Sequence, residues 1–159
     1  MPTRDVAPVR MATVADADRI GRLLHDFNRE FDTPTPEPSV LADRLRRLLG
    51  GESTFALLAG DPAVAVALVT VRPNVWFDGP VALLDELYVR PELRSQGLGS
   101  AIVERLMAEC RARGVELLEI NVDDGDVDAQ RFYRRHGFLP HEPDGDERAS
   151  YWWQELGTT

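Results

Sequence analysis

The chain has 159 residues, which predicts one domain, residues 1–159, with a core large enough to fold without disulfides or structural metals. Its formal net charge of -9 argues against nucleic acid as the main partner, because such binding needs a basic surface. The single cysteine excludes an intramolecular disulfide, and no apolar run reaches the roughly 18 residues that span a bilayer, so we expect a cytoplasmic protein.

The N-terminal third carries one strand signal and two helix signals. Residues 6–11 predict a short strand, and apolar residues then recur every three or four positions from Ile20 to Phe31, which predicts a helix with one buried face. Three prolines in residues 32–38 predict a stiff, extended connector. A second helix follows, which we expect Ser39 to cap and a glycine pair to end.

The rest of the chain predicts a sheet interrupted by two more helices. One helix runs from the turn after residue 89 to Gly114, and a shorter one spans residues 126–136. The strand signals are runs of β-branched, aliphatic and aromatic residues bounded by glycine or proline. They span residues 54–59, 63–72, 81–89 and 115–122, a segment that begins at 138, and residues 149–156. This alternation predicts an α/β fold.

The strand at 81–89 leads without a linker into a short turn that opens a helix. The turn reads Arg94-Ser95-Gln96-Gly97-Leu98-Gly99. Backbone N–H groups at the start of a helix have no partner within it, and glycine lets an anion approach them closely. The turn therefore predicts an anion cradle, and a purely structural turn is the alternative. Its spacing matches neither the dinucleotide-binding fingerprint nor the P-loop.

Two motifs in this order resemble those of the GNAT acetyltransferase superfamily. Arg94, Gly97 and Gly99 fill the family's first signature, which is Arg or Gln, two residues, Gly, one residue, then Gly or Ala. Asp126 departs from the second signature, because the family more often has Asn there. The second signature is matched by Val122, Asp126, Ala129, Tyr133, Gly137 and Phe138.

The resemblance implies a fold and a cosubstrate. It implies a single-domain GNAT fold with a mixed central sheet of six to seven strands and four helices, in which two strands splay apart at the acetyl-CoA cleft. The pantetheine arm of acetyl-CoA would lie in that cleft like an added strand. Many family members form homodimers, so a homodimer is expected. His25, His136 and His141 show no metal-ligand spacing, so no metal is expected.

The resemblance also assigns roles to residues of the strand, the turn and the shorter helix. Tyr133 would protonate the departing coenzyme thiolate, although a tyrosine that only packs the helix would look the same in isolation. The side chain of Asp126 is an equally good helix cap. The expected coenzyme contacts are Leu87, Tyr88, Val89, Arg94, Ser95, Gln96, Gly97, Leu98, Gly99, Ser100, Asp126 and Ala129.

Asp85 and Glu86 are adjacent carboxylates in an otherwise apolar strand. Burying a carboxylate is costly unless it is paired or used, so an unused pair is not expected here. The resemblance implies that an acidic residue at this place binds the substrate ammonium or removes its proton, and we take both residues as candidates. The alternative is that one is solvated and the other pairs with an arginine. A regular strand would present only one of them to the cleft, whereas a bulge would upset that rule.

The function implied is an N-acetyltransferase that moves an acetyl group from acetyl-CoA directly to a primary amine in a ternary complex. The carboxylates of Asp85 and Glu86 favour a small cationic molecule as the acceptor. The acidic loop at residues 123–128 would add to this preference if it flanks the acceptor channel, and otherwise it is a solvated loop that caps a helix. A protein N-terminus or a lysine is the alternative acceptor. A non-catalytic acyl-CoA-binding module is the alternative from another class of protein.

Overall fold

The computed structural model describes residues 7–142 and 144–157. Backbone contacts divide the chain into two compact units, one that ends at Ile120 and one that begins at Asn121. The first unit holds the whole of the sheet and three of the α-helices, and the second holds one α-helix. Each unit is described by itself below.

The sheet of the first unit has its strands in chain order, and four of its five strands are antiparallel neighbours. The last pair, β4 and β5, is parallel, because a helix crosses over between them. The sheet is therefore mixed, as predicted. Its strands are β1 Val9–Met11, β2 Thr54–Ala59, β3 Ala65–Arg72, β4 Val81–Val89 and β5 Leu117–Ile120.

Three helices pack around this sheet: α1 Ala17–Glu30, α2 Pro38–Leu49 and α3 Leu98–Ala112. Their apolar faces and residues on both faces of β2 to β4 form the core, in which Ile20, Leu58 and Leu106 are fully buried. Gly21 lets α2 approach α1, since a Cβ atom there would lie 2.8 Å from the carbonyl oxygen of Pro38. Helix α2 begins at Pro38, one residue before the predicted cap Ser39, because the fixed φ of proline suits the first helical position.

The second unit contains α4 Val127–Arg135, within the predicted bounds of the shorter helix. Asp126 is its N-cap, and its Oδ1 accepts a hydrogen bond from the backbone N–H of Ala129 at 2.9 Å. His136 stands at the C-terminal end, and Gly137 follows in a left-handed conformation with φ of 88°. The helix therefore ends where the sequence predicted, with residue 136 as its C-cap.

The predicted count of six to seven strands is wrong for the described part of the chain, in which the sheet has five strands. No strand forms at 138–139 or at 149–156. The aromatic residues that suggested the last strand, Tyr151, Trp152 and Trp153, are 72–87% exposed. High β-propensity alone did not make a strand here, because strand formation also depends on pairing and on burial of one face.

Several boundaries moved inward from their predicted positions. The strand predicted at 115–122 is paired only over Leu117–Ile120, and the strand predicted from 63 begins at Ala65. The first predicted strand, 6–11, is present over Val9–Met11, and Val6 lies outside the described residues. Over the described ranges, no helix is long and apolar enough to cross a bilayer.

We expect Leu106→Ala in α3 to lower the free energy of unfolding by about 2–5 kcal/mol, because it removes a fully buried side chain and leaves a cavity. Urea denaturation followed by far-ultraviolet circular dichroism measures the change. The matched control is Leu48→Ala in α2, whose side chain is 46% exposed and which should cost less than about 1 kcal/mol. Equal losses in the two variants would contradict the assigned core.

Candidate active site

The two candidate carboxylates lie at a β-bulge in β4. Leu84 lies opposite Val69 of β3 and Glu86 lies opposite Leu68, so Asp85 is an extra residue with no position opposite it in the ladder of β3. Asp85 is exposed and Glu86 is half-buried. The strict alternation of faces does not hold across a bulge, so a strand of this shape is compatible with both carboxylates acting at one site.

Asp85 is held by a neighbour that sequence analysis missed. The hydroxyl of Thr70 in β3 donates a hydrogen bond of 2.6 Å to Oδ2 of Asp85. Desolvation raises the pKa of Asp85, while the hydrogen bonds from Thr70 act in the opposite direction. A polar residue within the apolar run of β3 was the only available signal for this contact.

Glu86 has the less solvated of the two carboxylates. Desolvation raises the pKa of Glu86, and the negative charge of adjacent Asp85 raises it further. Neither carboxylate has an arginine partner among the ion pairs of the described residues. A carboxylate with a raised pKa and no paired cation is suited to accept a proton or to bind an ammonium group.

The second half of β4 has an open edge on the β5 side. β5 pairs with Val81–Leu84 only, whereas β3 pairs with β4 on both sides of the bulge. In the described part of the first unit, no strand therefore lies beside Leu87, Tyr88 and Val89 on that edge. Tyr88 is only 4% exposed and its side chain belongs to the core, so it offers a ligand its backbone rather than its ring.

The turn after β4 presents the start of α3. Gly97 is the N-cap of α3 with φ of 89°, a conformation that glycine adopts without strain, and Ser95 has φ of 59°. The first intrahelical bond runs from Ala101 N–H to the carbonyl oxygen of Gly97, so the N–H groups of residues 98–100 precede the helical ladder. Leu98 is buried, whereas Gly99 and Ser100 are half-buried.

Two side chains of the turn form hydrogen bonds with other parts of the first unit. Arg94 Nε donates to the carbonyl oxygen of Val89 at 2.9 Å, and Arg94 Nη2 donates to Glu30 Oε2 at 2.6 Å. Gln96 Nε2 reaches the carbonyl oxygen of Glu92 at 3.4 Å. Among the predicted contacts, Arg94 is thus committed to protein partners through its side chain, and its backbone remains the group suited to a ligand.

In the second unit, Tyr133 lies on α4 between two phenylalanine rings. The ring centroids of Phe132 and Phe138 are 5.1 Å and 5.6 Å from that of Tyr133, both edge-on. The carbonyl oxygen of Tyr133 accepts hydrogen bonds from the N–H groups of His136 and Phe138. The two edge-on contacts pack the half-buried Tyr133 ring against its neighbours within its own unit.

Asp126 is a helix cap, which was one of the two roles left open for it. Its carboxylate satisfies the N–H of Ala129, so both of these predicted coenzyme contacts already bond to each other. The neighbouring acidic loop also has partners within the protein: Arg148 lies 3.2 Å from the carboxylate of Asp124, and the Gln130 side chain donates hydrogen bonds to two carbonyl oxygens of the loop. Whether Asp126 and Ala129 also contact the coenzyme stays a prediction.

Known proteins match this chain over different shares of its length. The family model described as Acetyltransferase (GNAT) family matches residues 19–138. The aminoalkylphosphonate N-acetyltransferase of Salmonella typhimurium is 38% identical over 139 residues, which cover 84% of this chain and 88% of that protein. The mycothiol acetyltransferase of Beutenbergia cavernae is 34% identical over 42% of this chain, and the match spans only 24% of that longer protein.

Solved structures agree with these matches. A crystal structure from Arthrobacter sp. FB24, of a protein assigned as an acetyltransferase, is 50% identical to this chain. It superposes with a TM-score of 0.89 and covers 98% of this chain and 100% of its own. The family match, the N-acetyltransferase relative and this structural similarity extend over most of the sequence. This chain belongs to the GNAT acetyltransferase family and is an acetyl-transferring enzyme.

Proposed function

We propose that the chain acts as a single GNAT domain that transfers the acetyl group of acetyl-CoA directly to a primary amine of a small cationic molecule. The observation that carries this proposal is the pair of adjacent carboxylates at the bulge of β4, which are partly desolvated and neither of which is paired with an arginine in the described part of the chain. A cationic amine would complete their electrostatic environment. Desolvated negative charge is otherwise costly to keep.

The residues present fit acetyl-CoA at two places in the first unit. The start of α3 suits a pyrophosphate, because Gly97 and Gly99 let an anion approach the backbone closely and the helix dipole favours negative charge there. The open edge of β4 at Leu87 to Val89 suits the amide-bearing pantetheine arm. When bound, acetyl-CoA supplies an acetyl group as a thioester.

We assign acid and base roles on the same basis. Asp85 or Glu86 accepts a proton from the substrate ammonium, whose pKa near ~10 leaves little free amine at neutral pH. The phenol of Tyr133 donates a proton to the departing thiolate. Its ring is packed between Phe132 and Phe138, which suits an acid that must be held close to the thiolate. The backbone of β4 beside the bulge polarises the thioester carbonyl.

We infer the class of acceptor from the charge of the site, and it differs from the acceptor for which one relative is named. The aminoalkylphosphonate enzyme is named for an acceptor with an amine and an anionic group, whereas the two carboxylates at the bulge here favour an acceptor without one. A protein N-terminus or a lysine is the second candidate acceptor. A cytoplasmic location and a homodimer remain predictions.

A panel of amines tests the proposed function. We expect diamines, polyamines and aminoglycosides to release coenzyme A thiol from acetyl-CoA faster than aminoalkylphosphonates or peptides do, because only the first group is purely cationic. A colorimetric thiol assay measures the rates. Faster turnover of peptides would favour the protein-acceptor alternative, and acetyl-CoA binding without turnover of any amine would favour a non-catalytic module.

We expect Tyr133→Phe to lower kcat by about a hundredfold while the affinity for acetyl-CoA stays unchanged, because the phenol acts as an acid only during thiolate departure. Steady-state kinetics and calorimetry separate the two effects. The matched control is Tyr151→Phe, which removes a 74% exposed phenol from the same unit and should leave kcat unchanged. A Tyr133→Phe variant with wild-type kcat would remove Tyr133 from the mechanism.

The pH dependence of kcat/KM tests the carboxylates. A base works only when ionised, so activity falls as the pH drops through its pKa. Because the pKa values of Asp85 and Glu86 are raised, this fall begins at a higher pH than for an ordinary carboxylate. We expect Asp85→Asn or Glu86→Gln to abolish the acidic limb, whereas Glu104→Gln, at an exposed position of α3, keeps it. An acidic limb that survives both substitutions would refute the assignment.

A further inference from the structure

The turn that leads into α3 has a backbone that needs support from outside itself. Ser95 adopts φ of 59°, a left-handed conformation that residues with a side chain rarely adopt. Gly97, two residues later, has φ of 89°. A backbone of this kind persists only where the surrounding structure holds it in place. The contacts of Arg94, the residue before Ser95, are therefore important for the turn.

Arg94 is fixed by three contacts at once. Its Nε bonds to the carbonyl oxygen of Val89 at 2.9 Å, and its Cζ lies 5.7 Å from the ring centroid of Tyr88. Its Nη2 bonds to Glu30 at 2.6 Å. The first two contacts join the turn to the end of β4, and the third joins it to α1. Glu30 is thus the contact that ties the turn to a separate element of the core.

Glu30 is well placed to act as that anchor. It is the last residue of α1, and its side chain is 24% exposed against 42% for Arg94. The same end of α1 is packed on β4, since Phe27 meets the ring of Tyr88 edge-on with centroids 5.1 Å apart. Because this end of α1 is held by packing, the Glu30 carboxylate can hold the guanidinium of Arg94 in one position through a charge-assisted hydrogen bond. No sequence motif links Glu30 to the turn, from which it is separated by 64 positions.

We propose that Glu30 is a positioning residue for acetyl-CoA, which acts through Arg94 to hold the 94–100 turn in the conformation that offers its N–H groups to the pyrophosphate. The proposal rests on the proposed function, because it requires the turn to bind the coenzyme. It assigns Glu30 no contact with substrate.

A purely electrostatic role for Glu30 would have the opposite effect. A carboxylate near an anion site repels the anion, so removing its charge should tighten coenzyme binding. Removing a positioning contact should weaken binding, because the turn then spends part of its time in other conformations. The sign of the change in affinity therefore separates the two roles.

The experiment compares coenzyme A binding to the wild type, Glu30→Gln and Glu30→Asp by titration calorimetry. We expect the Kd to rise about three- to fivefold in both variants, which is the range for loss of one partly exposed ion pair. The aspartate keeps the charge but is too short to keep the 2.6 Å contact. The matched control is Asp18→Asn, which breaks the 2.7 Å ion pair of Asp18 with Arg46 at the other end of α1 and should leave the Kd unchanged.

A second donor separates positioning from general damage to the fold. S-acetylpantetheine carries the thioester arm without the pyrophosphate, so Glu30→Gln should lower kcat/KM for acetyl-CoA and leave it unchanged for S-acetylpantetheine. Unchanged or tighter coenzyme A binding in Glu30→Gln, or equal losses with both donors, would overturn the proposal. Failure of the wild type to bind coenzyme A would overturn the proposed function instead.

Discussion

The pairing of β4 with its two neighbours is the constraint on which the rest of the structure depends. β3 pairs with β4 over nearly its whole length and holds it in the sheet, whereas β5 leaves it after Leu84. The same strand therefore has a fixed edge and an open edge. The bulge at Asp85 lies at the point where the second neighbour ends, so the carboxylates and the open edge come together on one element.

The site is kept at a cost to stability. When the pKa of a carboxylate is raised by folding, the folded state binds more protons than the unfolded state between the ordinary and the raised pKa. Stability then falls as the pH rises through that window, and Glu86 is less favourable to the fold once it is ionised. The core offsets this loss of stability because it buries large apolar side chains such as Ile20 and Leu106.

Sequence analysis located the elements whose signals are local. Proline ends β4, glycine opens α3 and an aspartate caps α4, and each of these signals acts within a few residues. The strand predicted at 149–156 is absent, because β-propensity describes how well residues fit a sheet and not whether a partner strand is present. The contacts of Thr70 with Asp85 and of Glu30 with Arg94 could not be predicted, since they join residues 15 and 64 positions apart through the tertiary fold.

The register of β3 and β4 has a further consequence for Asp85. Leu84 faces Val69 and Glu86 faces Leu68, so these two pairs would be direct neighbours in an uninterrupted ladder if Asp85 were absent. The hairpin thus has one residue more than its hydrogen bonding requires. A chain shortened by that residue could still pair both strands without interruption, but it would lose the hydrogen bond from Thr70 and would leave Glu86 in a regular ladder.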